Sequence, residues 1–255
     1  MLDLHSHVLP GVDDGAPDLE QALDMCRLAL DDGVKLMAAT PHWYPARDPL
    51  PVEELDRGVQ WLRGKLEAAG LPLKLVPGAE VALDPDLPRL AKEKALPTIN
   101  GGPYLLLECP PSTSPRLLPD LVYNLRLAGL RPILAHAERT WAGMDAWEWL
   151  GGLVEQGCLV QVTAASLIGK LGSSPKKTAE VLLGLGLVHL LASDAHSPSW
   201  RPPGLAQAAQ VAEHLCGPGA AEVLTRQTPQ AVLAGEEAPP APRSAARRRL
   251  FFWRK

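Results

Sequence analysis

Seven short apolar runs punctuate the chain, at residues 2–8, 35–40, 73–81, 104–109, 131–136, 158–163 and 187–193. Each has the length of a buried strand and is bounded by turn-forming Gly, Pro, Asp or Ser. Between them, residues 18–32, 51–69, 116–128, 144–156 and 177–185 carry apolar side chains at helical spacing, and Gly33, Gly70, Gly129 and Gly157 stand where those helices should stop. Residues 203–215 and 220–234 read as two further amphipathic helices that close the domain. Strand and helix therefore alternate, which predicts parallel strands joined by right-handed crossovers. An open doubly wound sheet and a closed barrel both satisfy this pattern.

The chain has 255 residues, 46% hydrophobic and 21% charged, enough for one large α/β domain with a substantial core. Its net charge is −4, yet the last eighteen residues hold six Arg or Lys and no acid, so the body is more acidic than the whole. An acidic body argues against nucleic-acid binding. Residues 236–255 are rich in Pro, Ala and Arg without core-forming periodicity, and both phenylalanines, Phe251 and Phe252, fall there beside Trp253. The expectation is a domain over 1–235 and a disordered basic and aromatic tail over 236–255, able to touch a membrane surface or a partner protein or to remain solvated. Cys26, Cys109, Cys158 and Cys216 are scattered without a CxxC pair, which suits a reducing cytoplasm. The chain start carries no secretory pattern and no later run reaches the ~20 apolar residues of a membrane span.

Chemistry-bearing residues gather at the ends of the predicted strands, where parallel α/β folds assemble their sites. His5 and His7 end the first strand at spacing i, i+2, and Asp194 and His196 repeat that spacing after the seventh. Asp13 and Asp14 follow the first strand, His42 the second and Glu80 the third, while Glu108 and His136 end the fourth and fifth. Imidazoles and carboxylates without thiolates make a hard to borderline site suited to manganese, iron or zinc. Nine candidates, His5, His7, Asp14, His42, Glu80, Glu108, His136, Asp194 and His196, exceed the needs of one ion, so two or three divalent ions are expected. Clustered ions that activate a hydroxide are the equipment of phosphoester hydrolysis. Any one of these residues alone would pass for an ordinary surface or hydrogen-bonded group, and His189 and His214 are read that way.

The motifs LDLHSHVLPGVDDGA (2–16), ATPH (39–42), GAEV (78–81), LE (107–108), AHAER (135–139) and ASDAH (192–196), followed by RPP (201–203), resemble the polymerase-and-histidinol-phosphatase (PHP) superfamily. Within it they are similar to the bacterial capsule-regulating tyrosine-protein phosphatases. The resemblance covers about residues 1–235. It implies a distorted seven-stranded (β/α) barrel, a manganese-preferring centre held by the nine residues above, and cytoplasmic hydrolysis of phosphotyrosine on a bacterial tyrosine kinase that controls exopolysaccharide export. It also implies that Arg139 and Arg201, three and five residues after His136 and His196, are catalytic contacts to phosphate. Ala137 and Thr140 depart from the larger or aromatic residues common there, and the tail lies outside the shared pattern. Trp43 and Tyr44 either border a pocket for a phenyl ring or pack a loop.

Thiolate-type tyrosine phosphatases need a CX5R loop, and Cys109 meets its next arginine only at Arg116, one residue too far. Histidinol-phosphate phosphatase is the alternative enzyme, and a non-catalytic metal-binding regulatory protein the alternative from another class.

Overall fold

The computed structural model describes residues 1–47, 49–110, 113–140 and 147–244, with Glu148 described in its backbone alone. Among the described residues nine strands appear in two all-parallel sheets: β1 (Leu2–Asp3), β2 (Leu36–Ala39), β3 (His42–Trp43), β4 (Lys74–Pro77), β5 (Glu80–Ala82), β6 (Tyr104–Glu108), β7 (Arg131–Leu134), β8 (Leu159–Thr163) and β9 (Leu190–Ala192). Their orders are β1-β2-β4 and β3-β5-β6-β7-β8-β9. Hydrogen bonds from Thr40 N to Ser6 O at 2.8 Å and from Glu80 N to Pro41 O at 3.0 Å continue the β1–β2 and β3–β5 pairings into the break between the two sheets, so the two follow one another as one curled layer. At its other margin a parallel bridge pairs Ser6 with Ala195, flanked by His7 N to Ala195 O at 2.8 Å and Asp194 N to His5 O at 2.9 Å. The first and last strands thus run side by side at their C-terminal ends.

Nine strands are seen because two of the expected strands are interrupted. β2 and β3 are separated at Thr40-Pro41, where proline offers no N–H to a ladder. Their neighbours β4 and β5 break at the facing Gly78-Ala79, after Pro77. A Cβ at Gly78 would sit 2.8 Å from Ile99 Cδ1 and 3.2 Å from Thr40 Cγ2, so any larger residue at this crossing would have to displace the end of Ile99.

Helices α1 (Leu19–Asp31), α2 (Val52–Ala68), α3 (Leu87–Lys92), α4 (Leu118–Leu127), α5 (Ala137–Thr140), α6 (Trp147–Glu155), α7 (Ala164–Leu167), α8 (Ser173–Leu185), α9 (Ala206–Cys216), α10 (Ala220–Glu222) and α11 (Thr228–Ala234) fill the connections. Asp18 caps α1 by accepting Gln21 N–H at 2.9 Å. The four expected stops have positive φ: 91° at Gly33, 67° at Gly70, 86° at Gly129 and 85° at Gly157. The helix expected over 144–156 is seen over 147–155, and its first three residues lie outside the described part. The short α3, α5 and α7 have no counterpart in the sequence reading.

Alternation along the strands divides the core. Leu105 and Leu107 of β6 and Val160 and Val162 of β8 join the larger apolar cluster with the helices, whereas Tyr104, Leu106, Ile133 and Leu159 join a second cluster with Leu4, Ala38, Val76, Leu190 and Val232 of α11. Burial on both faces is what purely parallel strands require. Residues 236–244 carry no helix or strand, but Tyr104 donates its hydroxyl to Glu236 O at 2.6 Å and Ala238 packs on the second cluster. Residues 245–255, most of the expected tail, lie outside the described residues.

Candidate metal centre

The side chains that continue the inward faces past the second cluster are polar and meet at the C-terminal ends of the strands. Three groups offer ligand atoms within 4.8 Å of one another: His5, His7, Glu80 and Asp194; His7, Asp14, His42 and His196; and His42, Glu80 and Glu108. Glu80 is the hub. Its Oε2 lies 3.2 Å from His5 Nε2, 3.3 Å from His7 Nε2 and 3.1 Å from His42 Nδ1, and its Oε1 lies 2.6 Å from His136 Nε2. Glu108 approaches His42 at 3.5 Å and His136 at 4.0 Å. Asp14, which is exposed, stands 3.5 Å from both His42 Nε2 and His196 Nε2. All nine sequence-predicted ligands are therefore brought together.

Two of them need unusual backbone. His136 and Asp194 have φ of 33° and 53°, a region that non-glycine residues avoid. Gly15 reflects similar crowding, since a Cβ there would fall 2.1 Å from His7 O.

Burial alone would disfavour charge on every group here. The His7 imidazolium is nonetheless held well above its ordinary range by hydrogen bonds to Asp13, Asp194 and Glu80, and His5 is raised by Glu80 and Asp194. Burial acts on the carboxylates too, yet His5 and His136 hold Glu80 well below its usual range, and His5, His7 and Arg139 do the same for Asp194. His196 is pushed down to about 4 by burial, with His7 and Arg201 adding to it. The ring of His42 has a buried Nδ1 with no hydrogen-bond partner, although Glu80 is at ion-pair distance. Imidazole nitrogens and carboxylate oxygens converging on common points fit divalent cations, and the oxygen and nitrogen donor set suits hard to borderline ions.

Sequence reasoning placed Asp13 in the turn without a role. Its Oδ2 lies 2.6 Å from His7 Nδ1 and accepts His42 N–H at 2.9 Å, while Oδ1 accepts Gly15 N–H at 2.9 Å. It turns His7 so that Nε2 faces the cluster, and these contacts outweigh burial and bring its carboxyl down to about 2. The paired aspartates were a visible signal, but spacing could not tell ligand from support.

Arg139 and Arg201 both pair with Asp194 Oδ2, and Arg201 Nη1 is also 3.2 Å from His196 Nε2. Asp194 thus turns one oxygen to the imidazoles and the other to two guanidiniums at the rim. Trp43 is buried and donates Nε1–H to Leu50 O at 2.9 Å, so it packs the loop. Tyr44 is exposed, stacks on His42 at 5.6 Å between ring centroids, and carries the Arg47 guanidinium over its ring at 5.1 Å. It borders a cleft of about 850 Å³ shared with Val12, Asp14, His42 and Glu54.

The family model for capsular polysaccharide synthesis, CpsB/CapC, matches residues 1–234. The chain belongs to the CpsB/CapC family. Tyrosine-protein phosphatase YwqE of Bacillus subtilis is 33% identical over 204 residues, 79% of each chain, and tyrosine-protein phosphatase CpsB of Streptococcus pneumoniae 27% identical over 238 residues, 91% of this chain and 98% of that one. Among solved structures, one described as YwqE from Bacillus subtilis and CpsB from Streptococcus pneumoniae, unique metal-dependent tyrosine phosphatases, superposes with a TM-score of 0.88 at 30% identity, covering 96% of this chain and 99% of that one. A histidinol phosphate phosphatase from Lactococcus lactis shares the fold at a TM-score of 0.56 and 12% identity, covering 85% and 94%. The CpsB/CapC match ends one residue short of Gly235, so it leaves out residues 235–255.

Proposed function

We propose that this CpsB/CapC chain is a metal-dependent protein-tyrosine phosphatase, acting in the cytoplasm on phosphotyrosine of a bacterial tyrosine kinase that governs exopolysaccharide synthesis. The observation that carries this reading is the convergence of nine imidazole and carboxylate side chains, with two guanidiniums at their rim, beside an open cleft. His5, His7, Glu80 and Asp194 would hold one cation, Glu80, Glu108 and His136 a second, and Asp14, His42 and His196 a third, with manganese the preferred occupant and iron or zinc acceptable. When bound, such ions supply a nucleophilic water at neutral pH and neutralise phosphoryl charge.

The chain's own residues do the rest. Arg139 and Arg201 turn their guanidiniums from Asp194 to phosphoryl oxygens, where planar donors match tetrahedral oxyanions and stabilise growing charge. Tyr44 offers a flat wall for the phenyl ring, next to the cleft that receives the polypeptide on either side. No thiol competes for the nucleophile's role. Burial pushes Cys26 and Cys158 up to about 12 and raises Cys109 and Cys216 as well, so none is a thiolate at neutral pH.

Counting β2 with β3 and β4 with β5 as single interrupted strands, and the Ser6–Ala195 bridge as the closure, supports a distorted seven-stranded PHP-type barrel over residues 1–235. The arginines and aromatics of residues 236–255 suit an anionic membrane surface or an acidic partner. In contrast, the acidic body has no use for nucleic acid.

The test is a side-by-side assay on a phosphotyrosine peptide and histidinol phosphate. Turnover of the peptide that vanishes on chelation, returns with Mn²⁺ and survives replacement of all four cysteines by serine is the expected result. Turnover of histidinol phosphate alone would move the assignment to that enzyme. Tight metal binding without turnover of either would make the protein a metal-binding regulator.

A further inference from the structure

Among the described residues, every strand that reaches the cluster carries a candidate ligand within it or just beyond it, except β8. Its last residue is Thr163, and its middle residue, Gln161, is completely buried. The Gln161 Oε1 lies 3.0 Å from His5 Nδ1 and 3.1 Å from the backbone nitrogen of His136. We infer that Gln161 is a positioning residue that sets the tautomer of His5 and pins the turn at His136; the inference rests on the reading of the cluster as a metal centre.

A backbone N–H can only donate, so the His136 nitrogen dictates which end of the Gln161 amide faces it, and that end is the oxygen. The same oxygen faces His5, whose Nδ1 must then carry a proton. The lone pair of His5 is left on Nε2, which lies 3.2 Å from Glu80 Oε2, 3.3 Å from His7 Nε2 and 3.5 Å from Asp194 Oδ1. His7 reaches the same state through Asp13. One ligand leans on a carboxylate, its neighbour on a neutral amide. The amide is the acceptor that can be completely buried without bringing in another charge.

The second task concerns strain. Inward alternation belongs to Ile133 and Ala135 of the β7 run, so an extended backbone would turn His136 away from the cluster. Its φ of 33° carries the ring to Glu80 instead, and Gln161 supplies the acceptor that this turn's N–H needs in a buried place.

The experiment compares Gln161→Met, which removes the acceptor at similar volume, with Gln161→Glu, which keeps it. Isothermal titration with Mn²⁺ is expected to show affinity falling about 10- to 100-fold in the Met variant and no more than about fivefold in the Glu variant. In metal-free protein at a pH high enough for the His5 ring to be neutral, nitrogen-15 NMR of labelled histidine is expected to show a single Nδ1–H tautomer for His5 in the wild type and in Gln161→Glu, and a mixture in Gln161→Met. If Gln161→Met does not fold, Gln161→Asn, which withdraws the oxygen by one methylene, is measured with the same expectation. A Met or Asn variant with wild-type affinity and a single His5 tautomer would overturn the inference, as would a Glu variant that loses as much as Met. If the wild type binds no divalent ion, the phosphatase reading falls, and the tautomer measurement still decides the role of Gln161.

Discussion

The two halves of the sheet's inward face use the same strands for opposite ends. Toward the strand starts, Leu4, Ala38, Val76, Leu106, Ile133, Leu159 and Leu190 make an apolar filling, while a few residues further along the same strands His5, Glu80, Glu108, His136 and Asp194 crowd donor atoms together. Histidine shows what each environment does. In the polar half, carboxylates overcome burial and raise His5 and His7, whereas His189, beside the start of β9, has burial alone acting strongly on it and is pushed down to about 4. The apolar half holds the strands at fixed spacing, and the polar half exploits that spacing at a cost in self-repulsion and backbone strain.

The largest break is expected at Glu80, because one carboxylate faces four imidazoles. Glu80→Gln should lower kcat/KM on a phosphotyrosine peptide on the order of a thousandfold or more and reduce bound metal, read by elemental analysis. Full metal content with near-normal turnover would remove Glu80 from the centre.

Legibility in the sequence follows the same division. Strand ends announced the ligands, because His, Asp and Glu are conspicuous after apolar runs and i, i+2 spacing keeps a pair on one face. The breaks at Pro41 and Gly78 were not legible, since each depends on what the neighbouring strand does at the same level. Gln161 did leave a trace as the one amide in LVQVT, at the inward parity of Leu159. Its partners, 156 and 25 residues away in sequence, exist only once the sheet curls.

Leu106 probes the apolar half two residues before Glu108. Leu106→Ala should cost about 2–5 kcal/mol of stability by transfer and cavity terms, measured by denaturant unfolding. Turnover per folded molecule should stay within about threefold of wild type if the filling acts as scaffold alone. A large catalytic loss at intact fold would show that the halves are not separable.

Arg201→Ala is expected to keep the metal and lose about 10- to 100-fold in kcat/KM, the worth of one charged donor to a phosphoryl oxygen. Arg139→Ala should lose less, because its side chain is 28% exposed against 14% for Arg201. Loss of metal in either variant would mean that the arginines serve Asp194 and not phosphate.

His189 gives a smaller effect with a definite sign. Its folded pKa of about 4 lies below the unfolded value near 6.5, so between these values the unfolded chain binds more protons. Its contribution is fully present above pH 6.5 and is lost as pH falls toward 4, amounting to about 1 kcal/mol between pH 7 and 5.5. The buried Nδ1 accepts Val160 N–H at 3.2 Å, a role open to the neutral ring. His189→Asn should therefore flatten that part of the stability profile. The metal cluster's own titration is common to both proteins, and subtraction removes it. Identical profiles for variant and wild type would show that His189 titrates normally.

The smallest effects on catalysis should come from the far end of the apolar half. Tyr104 and Arg131 open β6 and β7, and the chain after α11 returns across them: Tyr104 donates to Glu236 O, Arg131 Nη1 lies 3.4 Å from Gly235 O, and Ala238 joins the apolar cluster. Further on, Arg243 lies so near Gly186 that a Cβ there would meet its own Cβ at 2.8 Å. Cutting after Gly235 removes the acceptor of a buried hydroxyl and a patch of apolar contact, a loss of about 1–2 kcal/mol. Cutting after Ser244 keeps those contacts and should change stability by less than about 0.5 kcal/mol. Both truncations should leave kcat/KM on a small aryl phosphate unaltered, because every candidate ligand and both arginines precede the cuts. Unfolding curves with paired rate measurements separate the cases, and a catalytic loss after the second cut would mean that residues 245–255 reach the polar half.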